Sequence, residues 1–175
     1  MNGVLQGEGQ YQVGAASKIN FGSTSNTASH TGGFKMLGNN SVVTVNTAAD
    51  GTFLKSGNSI EPEANSTGHK ITINTANVFK GNISISDKPI TLNINANQSA
   101  MGTITKGSGA INLDVDDPVT SLAFADISGV TWNTTSGKLN ITGAGDSEVS
   151  FGTDADGLTD AQLARITLRG SATTP

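Results

Sequence analysis

The sequence predicts an all-β chain wound as a parallel β-solenoid. Three observations carry that expectation. Over residues 70–95, Ile71/Ile73, Ile83/Ile85 and Ile90/Leu92/Ile94 alternate with Thr72, Ser84, Thr91 and Asn93. Period-two alternation of branched apolar and small polar residues is the signature of a half-buried strand. The runs are broken by Lys80-Gly81-Asn82 and by Ser86-Asp87-Lys88-Pro89, which is turn chemistry rather than helix. The strands also recur at a near-constant spacing. Sorted alternately, one series begins at residues 34, 53, 71, 92, 111, 130 and 149, and a second at 43, 60, 83, 104, 122 and 139. A period near 20 with two strands per coil is the pattern of stacked repeats. The alternative is a β-sandwich, which also places short strands every 8–12 residues but has no reason to keep an even step.

Taken in order, the chain opens with weak strand signals at Tyr11/Val13 and Ile19/Phe21, around a Gly14-Ala15-Ala16-Ser17 bend. Residues 23–33 are small and polar and read as a loop, which makes residues 1–33 the less regular part of a single domain spanning 1–175. Phe34/Met36 and Val43/Val45 flank a Gly38-Asn39-Asn40 turn, and residues 61–68 form the most loop-like stretch. Beyond residue 95 come Ile104, Ile111/Leu113/Val115, Leu122/Phe124, Val130/Trp132, Leu139/Ile141 and Val149/Phe151. In a solenoid these side chains stack inside as ladders. The expected core ladder is Ile71, Ile73, Leu92, Ile94, Ile111, Leu113, Val130, Trp132, Val149 and Phe151. Trp132, alternating with Thr131 and Asn133, is expected in the core rather than as a sugar-stacking platform. Thr72, Asn93, Asn112, Thr131 and Ser150 then face outward as an uncharged polar strip, the candidate ligand-binding residues.

Composition narrows the function. The charged fraction is 14% and the net charge −4, so the clustered Lys and Arg that nucleic-acid binding needs are missing. No apolar run approaches the ~20 residues of a membrane-spanning helix. The start Met1-Asn2-Gly3 carries no basic-then-apolar leader, and reads as a mature or excised fragment with an added Met. There is no cysteine, so disulfides, thiol nucleophiles and cysteine-bound metals are excluded. Asn65, Asn82, Asn97, Asn133 and Asn140 match the N-glycosylation pattern, which a chain this rich in Asn, Ser and Thr also produces by chance.

Catalytic parts are scarce. His30 and His69 each sit in a Gly/Ser/Thr-rich stretch and read as solvated loop residues rather than bases or ligands. The densest acidic group is Asp114, Asp116 and Asp117, a calcium candidate that reads better as a solvated turn, because calcium takes at least six oxygens. Asp154-Ala155-Asp156-Gly157 resembles part of a calcium loop without its later Glu. No cofactor is implied, and no enzymatic role is expected.

Residues 157–166 form the one credible helix. Thr159 and Gln162 make a capping box, Asp160 suits the helix dipole, and Leu158 with Leu163 makes a hydrophobic staple. This short helix is expected to cap the last coil, with residues 157–175 as the cap. Residues 147–167, S-E-V-S-F-G-T-D-A-D-G-L-T-D-A-Q-L-A-R-I-T, resemble the closing segment of bacterial exported proteins with autotransporter-associated β-strand repeats or PEP-CTERM-type sorting signals. Phe151, Gly152, Gly157, Leu158, Thr159, Gln162, Leu163 and Ile166 carry the match, while the sorting signal itself is not in this chain. The resemblance implies export, a repetitive β architecture and a place at the cell surface or in matrix material, with no catalytic residues. Three function classes follow. The first is a structural or adhesive surface module, secreted or at the cell surface, whose partners are copies of itself or surface glycans. The second is a carbohydrate- or ice-binding solenoid using its Thr/Asn/Ser face. The third, ranked last, is a polysaccharide-active β-helix enzyme.

Overall fold

The computed structural model describes residues 4–7, 9–22, 26–30, 33–46, 53–54, 56–63, 65–143, 145 and 147–169, with backbone alone for 4–7 and 26–30. The chain winds as a parallel β-solenoid of about six turns. In chain order the strands are β1 (Val4–Gly7), β2 (Tyr11–Val13), β3 (Lys18–Phe21), β4 (Asn26–His30), β5 (Phe34–Met36), β6 (Val42–Val45), β7 (Ser59–Pro62) and β8 (His69–Ile73). They continue as β9 (Asn82–Ile85), β10 (Ile90–Ile94), β11 (Gln98–Met101), β12 (Ile104–Lys106), β13 (Ile111–Val115), β14 (Ser121–Phe124), β15 (Leu139–Thr142) and β16 (Glu148–Phe151). The helix α1 (Asp160–Leu163) and the strand β17 (Ile166–Arg169) follow.

Every strand pair among the described residues is parallel, which rules out the sandwich. Parallel neighbours cannot be joined by a hairpin, so each strand meets its partner only after the chain has gone round a full coil. A coil has three sides rather than the two that even spacing suggests. One side is a seven-stranded sheet, β3-β6-β8-β10-β13-β15-β17. The second is β2-β5-β7-β9-β12, prolonged by a bridge from Lys106 to Trp132. The third carries β11-β14-β16, approached through the bridge from Leu54 to Phe79. The two strands of a further sheet, β1-β4, flank β2 and β3 in the chain.

Register corrects the expected ladder. Ile19, Val43, Ile71, Leu92, Leu113, Ile141 and Leu168 stack in one column of the seven-stranded sheet. Successive numbers in that column differ by 21 to 28, so the coil is longer than 20 residues and not constant. Ile71, Ile73, Leu92, Ile94, Ile111 and Leu113 do share this sheet, fully buried. Trp132 is buried on the second side, while Val149 and Phe151 lie half-buried on the third, beside Leu122 and Phe124. Val130 is also half-buried, against the core. The even step mixes the three sides because polar insertions at the corners lengthen some coils and not others.

Residues 23–33 are not all loop, because β4 lies within them and His30 ends that strand. The strands β2 and β3 open the second and first sheets in register with β5 and β6, so the N-terminal coil belongs to the solenoid. The core changes character along the axis. Near the N-terminus Phe21, Phe34, Phe53 and Phe79 pack ring to ring, with centroids 4.8–6.0 Å apart. Further on, Ile and Leu fill the same space.

Candidate functional site

The seven-stranded side offers the most regular surface. Alternation turns the apolar residues inward and leaves two outward columns. One column is Asn20, Thr44, Thr72, Asn93, Asp114, Thr142 and Arg169. The other is Lys18, Val42, Lys70, Thr91, Asn112, Asn140 and Thr167. The expected strip is therefore divided. Thr72 and Asn93 are neighbours in the first column, and Asn112 sits in the second. Thr131 belongs to the second side, next to Trp132, and Ser150 faces out beside Ala123 on the third. Within the columns Asn140 donates to Asn112 Oδ1 at 2.8 Å, and the Thr142 hydroxyl to Asp114 at 3.3 Å.

A third column sits just past the strand ends. Asn74 donates to Asn46 Oδ1 at 2.7 Å, and Asn95 to Asn74 Oδ1 at 2.7 Å, while Asn46 donates to Asn20 Oδ1 at 3.0 Å. Asp116 occupies the next place, its N–H bonded to Ile94 O as that of Asn95 is to Ile73 O. A carboxylate only accepts, so the chain of donations stops there, and Asn95 Oδ1 is buried without a partner. Asn93 Oδ1 is in the same condition. Asp114, Asp116 and Asp117 are not gathered into a ligand set, and no group of three or more His, Asp or Glu among the described residues could hold a metal. Asp154 accepts from the N–H of Asp156, a local turn.

Sequence reasoning missed the polar groups inside the solenoid. His69 is not solvated. Gly68, at φ +75°, turns the chain, and His69 then points inward in register with Ile90, 1% exposed. Its Nε2 lies 2.6 Å from the Ser66 hydroxyl, which itself donates to Glu63 O. That hydroxyl therefore accepts from Nε2–H, and Nδ1 is left buried with no partner. Burial holds the imidazole below its ordinary pKa, with Glu63 pulling weakly the other way. The spacing is that of a nucleophile and its base. The Ser66 proton, however, is turned to a carbonyl, and Ser66 is only 2% exposed.

Lys106 is the second such group. It ends β12 on an inward position, and its ammonium donates to Gly107 O at 3.1 Å and Gly109 O at 3.3 Å. It also stands 5.6 Å from the centre of the Trp132 ring. Gly137 makes the room, since a Cβ there would fall 1.5 Å from Nζ. Among the described residues no acidic side chain bonds this cation. Burial, with Arg165 nearby, lowers its pKa to about 8. Gln98, also fully buried, accepts from Phe79 N–H and donates to Thr75 O and Ala96 O, so its amide replaces a stretch of backbone ladder. The signal was present only as strand register: His69 and Lys106 lie on the inward parity of Ile71 and Ile104, and Gln98 pairs with inward Leu122 across a shift in register.

An open groove of about 430 Å³ runs along the third side between Lys80, Ser99, Met101, Ala123, Phe124, Asp126 and Thr153. Its charged residues are Lys80 and Asp126. The Asp126 carboxylate accepts from the Ser128 hydroxyl and N–H, which hold it below the usual range. A second cleft, of about 260 Å³, lies at the C-terminal end between Ile141, Val149, Phe151, Leu158, Leu163 and Leu168. Comparison with protein-family models, with curated proteins and with solved structures finds no match.

Proposed function

We propose that this chain is a non-catalytic structural or adhesive module of a bacterial surface or extracellular matrix, secreted or held at the cell surface. The observation that carries the reading is the seven-stranded side. Its backbone is paired strand to strand along the whole solenoid, so its outward Thr and Asn side chains, with Lys18, Lys70, Asp114 and Arg169 among them, stand on a rigid lattice. Such a surface meets hydroxyl-rich partners through many weak hydrogen bonds instead of one deep pocket. The same regularity favours a second reading on the same side, the binding of carbohydrate or of ice.

The test is substitution of outward residues that the fold does not need. Thr72→Glu with Thr91→Glu places two carboxylates on this side without touching the core. Adhesion of the purified protein to bacterial matrix material, a glycan array and thermal hysteresis would be measured side by side. Loss of adhesion in the variant, with no hysteresis, supports the adhesive module. A defined glycan signal, or hysteresis, that the variant abolishes selects the second reading. Adhesion untouched by both substitutions, or turnover of a polysaccharide, removes this side from the function.

A further inference from the structure

The corner that leads into β8 is polar on the inside. Among residues 65–69, Ser66 and His69 are buried, while Asn65, Thr67 and Gly68 are exposed. Asn65 at φ +66° and Gly68 at φ +75° bend the chain, beside Gly38 and Asn40 of the preceding coil at φ +61° and +60°. The two turns are tied at Thr67, whose N–H donates to Asn39 Oδ1 and whose carbonyl accepts from Asn40 N–H, each at 2.8 Å. Inside, the Ser66 hydroxyl accepts from His69 Nε2–H, and Nδ1 is buried with no partner. In register, His69 lies between Ser41 and Ile90, and the Ser41 hydroxyl is turned to the carbonyls of Val13, Gly14 and Leu37. The charged groups around the ring do not meet Nδ1. Glu63 faces it, but its carboxylate accepts from Gly38 N–H at 2.9 Å. Lys70 points outward, Asp87 pairs with Lys88 at 3.8 Å on the turn before β10, and residues 37–41 hold no titratable side chain. A proton on Nδ1 would be a buried donor and a buried charge with no acceptor.

We propose that residues 65–69 are an acid-operated latch: protonation draws His69 out to water and opens this corner, while the coils on either side stay wound. The way out is short. His69 follows exposed Gly68, and a glycine takes either sign of φ without steric cost, so rotation there carries the ring outward. Opening breaks the ties at Thr67 and uncovers Ile90, the residue in register with His69. The ladder of the seven-stranded side is kept from Lys70 onward, where Lys70 N–H bonds Ser41 O. In a stack whose coils rest on their neighbours, one corner can open at a free energy below that of global unfolding. The sign follows from linkage. Closed, the ring is held by burial below its ordinary 6.5, and open, it regains that value. The open form therefore binds the extra proton, and opening rises as pH falls below 6.5, by up to about tenfold per pH unit for one proton. The latch does not rest on the adhesive reading, and either can fail alone.

Amide hydrogen exchange, followed by NMR on the full chain from about pH 7.5 to about 5.5, tests it in a window above the ordinary carboxylate range. Each rate is divided by the intrinsic rate at that pH. Asn40 and Thr67 report the ties of the corner. Asn95 N–H, bonded to Ile73 O, and Ala125 N–H, bonded to Met101 O, report coils elsewhere. Corrected exchange at Asn40 and Thr67 should climb below pH 6.5, approaching about tenfold per pH unit, with Asn95 and Ala125 flat. The imidazole signals that His69→Phe removes, and that are thereby told apart from those of His30, should titrate below 6.5. His69→Phe should abolish the climb, and Ser66 stays satisfied there because its hydroxyl still donates to Glu63 O. Glu63→Gln should keep the climb, which makes the imidazole and not the carboxylate the trigger. Exchange at Asn40 and Thr67 that ignores pH overturns the proposal. So does a climb shared equally by all four amides, which marks loosening of the whole stack, or one that Glu63→Gln abolishes or a folded His69→Phe retains. The wild-type rates and Glu63→Gln decide the matter even if His69→Phe fails to fold.

Discussion

Asp116 stands where the asparagine column needs a donor. Asn95 Oδ1 is buried beside it without a partner, and a carboxylate cannot supply the missing hydrogen. Asp116→Asn should extend the column by one amide and stabilise the fold by ~0.5–1.5 kcal/mol in urea denaturation. Destabilisation instead would mean that the amides run the other way and that Asn95 donates to Asp116. The buried titratable groups set the pH response. Lys106 in the folded chain has its pKa lowered to about 8, from 10.5. The unfolded chain therefore holds the extra proton between those values, and stability rises with pH across that window. Below it the full cost is present, on the order of 3 kcal/mol from the shift. His69 acts in the same sense at lower pH. Its depressed pKa means that stability present above 6.5 is lost as pH falls below it. Lys106→Met should remove the rise above pH 8, and the difference between the two stability curves isolates this lysine. An unchanged slope would show that the ammonium is solvated. None of these inward polar groups was legible from residue type. His and Lys read as surface residues, and only the register shows that His69 shares the parity of Ile71 and Ile73.

The closing segment shows how far pattern reading reaches at the scale of an element. The capping box is present as expected. Gln162 N–H donates to the Thr159 hydroxyl at 3.2 Å, and Thr159 N–H to Gln162 Oε1 at 2.8 Å. Leu163 does not fasten the helix to the last coil, because it is 57% exposed. The helix is fastened by Gln162, whose amide also donates to Ile127 O at 2.7 Å and Val130 O at 3.2 Å. Gly157 allows the chain to pass close by Phe151, where a Cβ would lie 1.8 Å from the carbonyl oxygen. The motif of Phe151, Gly152, Gly157, Leu158, Thr159 and Gln162 is thus one structural unit, with its glutamine doing the anchoring. Staple spacing was readable, but whether a coil lies above Leu163 depends on the end of the stack, which spacing does not encode. Thr159→Ala should cost ~1 kcal/mol. Gln162→Ala should cost ~1–3 kcal/mol by leaving buried carbonyls unpaired. Leu163→Ala should change stability by less than ~0.5 kcal/mol. A larger loss at Leu163 than at Gln162 would restore the staple as the anchor.

At the scale of the molecule, parallel stacking was legible, and the number of sides was not. The inward Ile, Leu and Val of β8, β10 and β13 recur at 21 residues, short enough for alternation and turn residues to show the repeat. Elsewhere a coil reaches 28 residues, as from Leu113 to Ile141, where residues 125–138 form a long connection whose inward Ile127, Val130 and Trp132 keep no even alternation. Equal spacing then assigns Asn112 and Thr131 to one ladder, although they lie on different sides of the coil. In a solenoid each coil rests mainly on its neighbours, so the register of the columns determines which residues form the polar side and which seal the core. Cysteine pairs bridged by dibromobimane, which joins thiols only a few ångströms apart, test that register in a chain with no cysteine of its own. Asn93→Cys with Asp114→Cys should bridge in the folded protein and lose the bridge in urea, since adjacent strands place these positions ~4.8 Å apart. Asn112→Cys with Thr131→Cys should not bridge. Efficient bridging of the second pair and not the first would contradict the three-sided coil.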